Sequence, residues 1–462
     1  MRDVPAATTI PLAGTADASR SIDQPDADVL VYVAVYERFS VRNKRLMTAT
    51  FAYCGLLANL STTSILAAVP EVVDTFESTP NVINISNSIY LLFMGISSLL
   101  WGPWADALGR RPVYLVSTSM FTLASLGTAL SPSLPMFFVF RAVTAWQGTA
   151  FLILGSSCIS DIYHPTERGT SLGWFLSGTM VGPALGPVIG GIIVTYASWR
   201  AIFWMQTALG ALATIQVILV LEETLQSANS LVSKDLGLIK SIRFVGKASN
   251  PVRVLKLFTK QNLVSVAFAS SSMGWNMYVL LTPLRLILNP RLHLTTPLQS
   301  GLLYIAPGAG YLIGTLAGGR WADYFVKRWI EKRGSRLPED RLRGSLPLLG
   351  VVLPGLMVLY GWTLDRRVGG IPLPVITMFF QGVAQTMTFP SLNTYILDAF
   401  QDKCAEASAT HYLMRYSISS LATAVCLPLI QVIGIGWTST LSAAIFLVST
   451  VLVQFTIQVG QT

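Results

Sequence analysis

The chain has 462 residues, 52% hydrophobic and only 12% charged, with a mean hydropathy of +0.56. A soluble globular domain carries about a quarter charged residues, so most of this chain is expected to lie in lipid rather than around an aqueous core. The net charge of +9 would suit nucleic acid, but the bases sit between apolar runs, where they set membrane topology; no nucleic-acid partner is expected.

Residues 1–45 read as a polar cytoplasmic tail whose last bases, Arg38, Arg42, Lys44 and Arg45, anchor the first span. Residues 1–30 lack an apolar signal region, so that span is expected to act as its own insertion signal. Membrane-length apolar stretches are predicted near 47–70, 83–104, 112–131, 133–158, 170–195 and 200–221. A second set falls near 262–285, 299–320, 345–363, 371–397, 408–434 and 437–459, which makes an all-α protein of twelve transmembrane helices. Of the 32 Lys and Arg residues, Arg200, Arg291, Arg366 and Arg367 fall on odd-numbered connections. Arg141, Arg285 and Arg415 fall within spans or at their ends, and all the others lie on the tail or on even-numbered connections. That asymmetry places both termini in the cytoplasm. The expected division is a tail (1–45), a six-helix half (46–222), a cytoplasmic linker (223–261) and a second six-helix half (262–462).

Between the second and third spans runs Leu-Leu-Trp-Gly102-Pro-Trp-Ala-Asp106-Ala-Leu-Gly109-Arg110-Arg111-Pro112. Asp106 and Arg110 are four apart and can pair if the helix extends into the loop. The glycines permit a tight turn, and Pro112 suits the start of the next helix. The pattern returns 217 residues later as Gly319-Arg-Trp-Ala-Asp323, with Lys327 four residues beyond the acid. Asp161-Ile-Tyr163 and Asp398-Ala-Phe400 form a second repeated marker, closing the fourth and tenth spans. The loop resembles the signature between the second and third spans of the major facilitator superfamily of secondary transporters. That resemblance implies two pseudo-symmetric six-helix halves working by alternating access about a midplane cavity. Asp106 with Arg110 and Arg111, and Asp323 with Lys327, would latch the cytoplasmic side. On that expectation Asp106→Asn cripples transport and leaves the protein in the membrane.

The fifth span carries Gly178, Gly182, Pro183, Gly186, Pro187, Gly190 and Gly191. Glycines at spacing four make a smooth groove for another helix, and the prolines loosen the helix ladder. In full, the order resembles the antiporter motif of drug–proton exchangers in the superfamily. Arg141, with Gln147 and Gly148 following, resembles imperfectly the family's arginine motif in the fourth span, where the arginine is linked to proton transfer or substrate. A charged residue inside a span normally faces a polar cavity or a partner. The eleventh span opens with an alanine-rich run through His411 to Arg415, as in the fungal twelve-span drug–proton antiporters. Asp161, Asp398, Glu223-Thr224 and Trp199-Arg200 match that group's landmarks too, so the resemblance covers about residues 40–459.

Polar and aromatic residues in apolar spans are candidates for lining the substrate or proton path: Asn59, Trp275, Asn276, Gln381, Gln385 and Asn393, besides Arg141, Gln147, Asp161, His411 and Arg415. No span centre carries Asp or Glu, so proton coupling is implied by the resemblance alone. The histidines at 164, 293 and 411 are scattered, the cysteines at 54, 158, 404 and 426 lack metal spacing, and no phosphate-binding loop is present. No enzyme activity, metal or cofactor is therefore expected. The expected function is export of a small organic molecule by proton antiport, from a monomer in the plasma-membrane bilayer. The alternative is an organic-anion carrier in which Arg141 and Arg415 face one cavity. A non-transporting sensor on the same fold would usually carry a long signalling tail, and here the chain ends just after the last span.

Overall fold

The computed structural model describes residues 38–225, 251–288, 296–334, 337–400 and 404–459, with the single residues 36 and 291. Most of the expected tail and the linker stretch 226–250 lie outside the described residues. Among the described residues all regular structure is helical. The long helices are α1 (Val41–Thr63), α2 (Pro80–Leu108), α3 (Arg110–Ala129), α4 (Leu134–Ile162), α5 (Pro165–Tyr196) and α6 (Arg200–Val220). The second set is α7 (Gln261–Leu281), α8 (Ile305–Arg333), α9 (Leu353–Arg366) and α10 (Pro372–Ala399), followed by one continuous run, Cys404–Val459. Gly434, with φ 83° and ψ 166°, breaks that run into α11 (404–433) and α12 (435–459). A glycine is needed there because a side chain would be strained at that φ.

Local chemistry sets several boundaries. Ser40 caps α1 by accepting from the Asn43 amide at 3.3 Å, and Thr79 caps α2 by accepting from Val82 at 3.4 Å. Proline occupies the first turn of α2, α4 and α10, where its missing N–H costs nothing. Within the described residues, 8 helical stretches are long and apolar enough to cross a bilayer by length and composition. One of them, Glu406–Val459, holds both α11 and α12. The remaining three, α3, α7 and α10, are too rich in hydroxyl and amide side chains to score as apolar. Those polar groups are hidden instead: in α3, Ser117, Thr118, Thr122 and Thr128 donate to carbonyls of their own helix, which satisfies them without water. The fold is that of a twelve-helix membrane protein.

Packing repeats between the halves. In the first, α1 lies against α5, α2 against α4 and α3 against α6; in the second, α8 lies against α10, while α7 and α9 pack on the Cys404–Val459 run. Gly274 of α7 abuts Ser419 and Arg415 of α11, and Gly361 of α9 abuts Ser439 of α12. The halves meet where α2 touches α11 and α5 touches α8. Ser88 and Ser420 share a 2.9 Å hydrogen bond across the α2–α11 seam, and Ser98 donates to the Ala409 carbonyl at 3.1 Å. The end of the bundle where α1 begins is called the terminal face below; there Asn43 reaches Glu222 and Lys44 lies over the Tyr163 ring. At the opposite, far face, α1 continues as a 3-10 turn (Ser64–Ala68) and a short helix (Val69–Thr75), and a π turn (Leu284–Leu288) follows α7.

Candidate functional site

Four acidic and basic side chains gather at the terminal face of the first half. Gly109 separates α2 from α3 at φ 97°, and a Cβ there would stand 2.7 Å from the Glu223 carboxylate. This turn brings Arg110 into the first position of α3, where its side chain is only 8% exposed. Its guanidinium bonds Asp106 Oδ1 at 2.7 Å and Asp161 Oδ2 at 3.1 Å. Glu223, just beyond α6, accepts from the amides of Arg110 at 2.9 Å and Arg111 at 3.2 Å. A carboxylate at a helix N-terminus satisfies orphan N–H groups and complements the helix dipole. Thr224 donates to Asp161 at 3.4 Å. One cluster thus ties together α2, α3, α4 and the segment after α6. Arg111 points away from the acids and donates to the Ile218 carbonyl at 3.2 Å. Gly102 sits inside α2 with nothing within 4 Å of an added Cβ, so the motif's first glycine is not required for close packing here.

The second half departs from the expected repeat. Asp323 and Lys327 are both exposed on α8 and no ion pair joins them. The arginine that meets the repeated marker comes instead from the loop before α9: Arg341 bonds Asp398 at 2.8 Å, as Arg110 bonds Asp161. Nearby, Asp340 is fully buried, bonded to Arg333 at 2.7 Å and to the Leu337 amide at 3.1 Å. Sequence spacing missed this because Arg341 lies 18 residues after Asp323, within a charged loop where many bases were equally eligible.

The glycines of the fifth span form the seam between α5 and α1. A Cβ at Gly178 would stand 2.8 Å from Ala52, and at Gly182 2.7 Å from Asn59 Cβ and 2.8 Å from the Leu56 carbonyl. Gly186 and Gly190 press on Thr63 and Ser64 in the same way. Asn59 closes the seam by donating to the Thr179 carbonyl at 2.9 Å. Gly191 belongs to a different contact, facing Gly301 ahead of α8, and Ala184 meets Gly308. A second ladder went unread in the sequence. Gly310, Gly314 and Gly318 of α8 lie against Gly382, Val383, Thr386 and Met387 of α10, and their spacing of four was the available signal.

Between the halves lies a cavity walled by Asn59, Met180 and Pro183 on one side and by residues of α7, α8, α10 and α11 on the other, including Gln385, Phe389 and Arg415. Its volume is about 30 Å³, enough for a water or two and too small for an organic molecule. Asn276 donates to Gln381 at 3.1 Å and to Gln385 at 3.3 Å, and Gln385 donates to the Met273 carbonyl at 3.1 Å. This amide network stands behind the cavity wall. Trp275 turns the other way and donates to Ser442 of α12 at 3.0 Å. Gln147 is buried between α4 and α3, against Met120. His411 is buried and bonded to Ser270 at 2.7 Å.

Of the two arginines within spans, Arg141 is buried and Arg415 only partly so, and the lining of this cavity includes Arg415 and not Arg141. Arg141 is 1% exposed; it donates to Asn87 at 2.9 Å and stacks near Tyr90, Phe137 and Phe203 at 4.9 to 5.9 Å. Its Nε and Nη1 have no hydrogen-bond partner. Behind it Tyr90, Ser61, Gln206 and Ser64 form a hydrogen-bonded chain. Arg415 alone lines the cavity, its guanidinium 4.4 Å from the Phe389 ring centre. Among the described residues, no group of three or more His, Cys, Asp or Glu side chains could hold a metal ion.

At the far face, Arg285 of the π turn crosses to the first half, where it bonds the Glu71 carboxylate and the Ala67 carbonyl. No spacing rule links residues 71 and 285; this contact exists only in the fold. It ties the halves together at the end of the bundle opposite the Arg110 cluster. Glu71→Gln is expected to loosen that end. Spin labels at Asp74 and Leu302, both exposed, should then show a population of longer separations, and an unchanged distance distribution would argue against a closure held by this pair.

The model of the Major Facilitator Superfamily matches residues 51–423. The MFS antiporter QDR3 of Candida albicans is 23% identical over 538 aligned residues, covering 89% of this chain and 77% of its own. The multidrug transporter AQR1 of Candida glabrata is 26% identical over 468, covering 92% and 77%. Among solved structures, the xylose transporter XylE from E. coli in a partially occluded inward-open conformation superposes with a TM-score of 0.67 at 15% identity, covering 89% of this chain and 97% of its own. So low an identity carries the fold alone.

Proposed function

This chain belongs to the Major Facilitator Superfamily, which makes it a multi-pass membrane transporter and not an enzyme, and from that premise we propose that it exports small organic molecules by proton antiport. The observation that carries the reading is a midplane cavity walled by both halves, closed at the far face by the Glu71–Arg285 link between them. Alternating access requires such a cavity and closures that break in turn. At the terminal face the Arg110 cluster joins four segments of the first half to one another, which supports that half's moving as a unit. The α1–α5 glycine seam supports export, since it is the motif that resembles drug–proton exchangers. Relatives named as an antiporter and as a multidrug transporter point the same way. The basic residues of α8 and of the loop before α9 gather at the terminal face, which supports cytoplasmic termini. A plasma-membrane location and a monomeric state complete the proposal.

The alternative of an anion held between Arg141 and Arg415 is not better supported, since the lining of this cavity includes Arg415 and not Arg141. The test uses purified protein in sealed proteoliposomes with a pH-sensitive dye inside and a panel of hydrophobic drugs and organic acids outside. Substrate entry coupled to proton movement in the opposite direction is the expected result. Substrate flux that leaves an imposed pH gradient untouched would overturn the antiport assignment.

A further inference from the structure

The polar groups of the midplane cavity differ in one respect: some of them are already committed to the protein. The amide of Asn59 donates to Thr179 and that of Gln385 to Met273. The hydroxyl of Thr386 donates to Gly382 and that of Ser419 to the Arg415 carbonyl. Four groups make no hydrogen bond among the described residues: the hydroxyls of Tyr278, Tyr311 and Tyr416 and the guanidinium of Arg415. The Tyr311 hydroxyl is buried without a hydrogen-bond partner, and the Arg415 guanidinium has neither an ion pair nor a hydrogen bond among the described residues. The contacts of Arg415 are aromatic: Phe389 at 4.4 Å and Tyr416 at 5.9 Å. No carboxylate lines the cavity.

An arginine inside a membrane protein is costly to leave without an acceptor. Here its five N–H donors stand at the wall of a cavity whose remaining lining is Tyr278, Tyr311, Phe389 and Tyr416 with Met180, Met273 and Met277. Aromatic rings offer flat apolar area with edge and face contacts, and methionines yield to irregular shapes, which suits a cavity that must widen before anything larger than water enters. Resting on the transporter reading above, we propose that the substrate is an aromatic organic acid. Its carboxylate pairs with Arg415, assisted by the Tyr311 hydroxyl, and its ring lies among Phe389, Tyr278 and Tyr416. A planar carboxylate matches the guanidinium fork bidentately, whereas a cationic drug would be repelled by it.

The test is binding to the purified full chain in detergent, which requires neither a direction of transport nor a proton. Isothermal titration calorimetry compares 2-naphthoate, the uncharged 2-naphthamide of the same shape, and acetate, which has no ring. Naphthoate is expected to bind at least about tenfold more tightly than either of the others. Arg415→Gln should abolish that preference and Arg415→Lys should keep part of it, while Phe389→Leu weakens acid and amide alike. Should Arg415→Gln fail to fold, the wild-type preference of acid over amide and its reduction in Arg415→Lys decide the matter. Absence of naphthoate binding, equal binding of amide and acid, or an Arg415→Gln variant with unchanged affinity would each overturn the proposal. Arg415-dependent naphthoate binding without proton-coupled flux in proteoliposomes would leave this inference standing and remove antiport. Proton-coupled flux of neutral drugs with no preference for the acid would do the reverse.

Discussion

Arg110→Gln is expected to reach the membrane normally and to transport about tenfold or more slowly than the wild type, a shift of the size that separates two conformational states of a coupled protein. The sequence pattern draws attention to Asp106, but the side-chain environments rank the residues differently. Asp106 is 52% exposed, so water screens its pairing and replaces much of what its loss removes. Arg110 is buried between two carboxylates and serves both. Without it, Asp106 and Asp161 face each other with the Arg110 guanidinium gone from between them. A hydrogen bond to a charged group contributes about 1.5–3 kcal/mol, and here one, to Asp161, is lost together with the ion pair to Asp106. Asp106→Asn should therefore slow transport less than Arg110→Gln does. Initial rates in proteoliposomes, normalised to folded protein by size-exclusion chromatography, check the ranking; equal rates for Arg110→Gln and wild type would remove the cluster from the mechanism.

Gly182→Leu should unfold the protein at a lower temperature and lower its yield, while Gly173→Leu, on the same helix, should be close to neutral. A Cβ at residue 182 would lie 2.8 Å from both the Leu56 carbonyl and the Leu60 amide. Those are backbone atoms of α1 and cannot rotate aside as a side-chain tip can. The cost is at least that of overpacking a core, about 1–3 kcal/mol, and it rises as α1 and α5 are wedged apart. At Gly173 an added Cβ meets nothing within 4 Å, and exposed substitutions of this kind stay within about 0.5 kcal/mol. Thermal unfolding in detergent, followed by the release of buried thiols at Cys54, Cys158 and Cys426, distinguishes the two variants. A shared, small effect would mean that α5 does not depend on close approach to α1.

The sequence by itself determined the class of molecule and the order of its spans. Apolar stretches of membrane length, separated by bases on alternate connections, leave few other solutions, because a backbone in lipid must satisfy its hydrogen bonds within helices. The local pairs were legible for the same reason: Asp106 and Arg110 lie four apart, and helical geometry alone lets such residues meet. The glycine ladder of α5 was legible because a spacing of four marks one face of a helix. What the sequence could not reveal were contacts whose partners are distant in the chain. Asp323 and Lys327 have the right spacing, yet both point outward, and Arg341 takes the Asp398 contact from a different loop. Arg141 and Arg415 look alike in the sequence, each a base within a span. Only the packing of α4 against Tyr90 and Phe203, and of α11 against the α7–α10 wall, puts the first behind the cavity and the second on it. Trp275 and Asn276 are neighbours, but successive helical residues face about 100° apart, so one bonds α12 and the other α10. Periodicity tells which residues share a face of a helix; which helix that face meets, and whether a cavity lies between them, is decided by how the twelve helices pack.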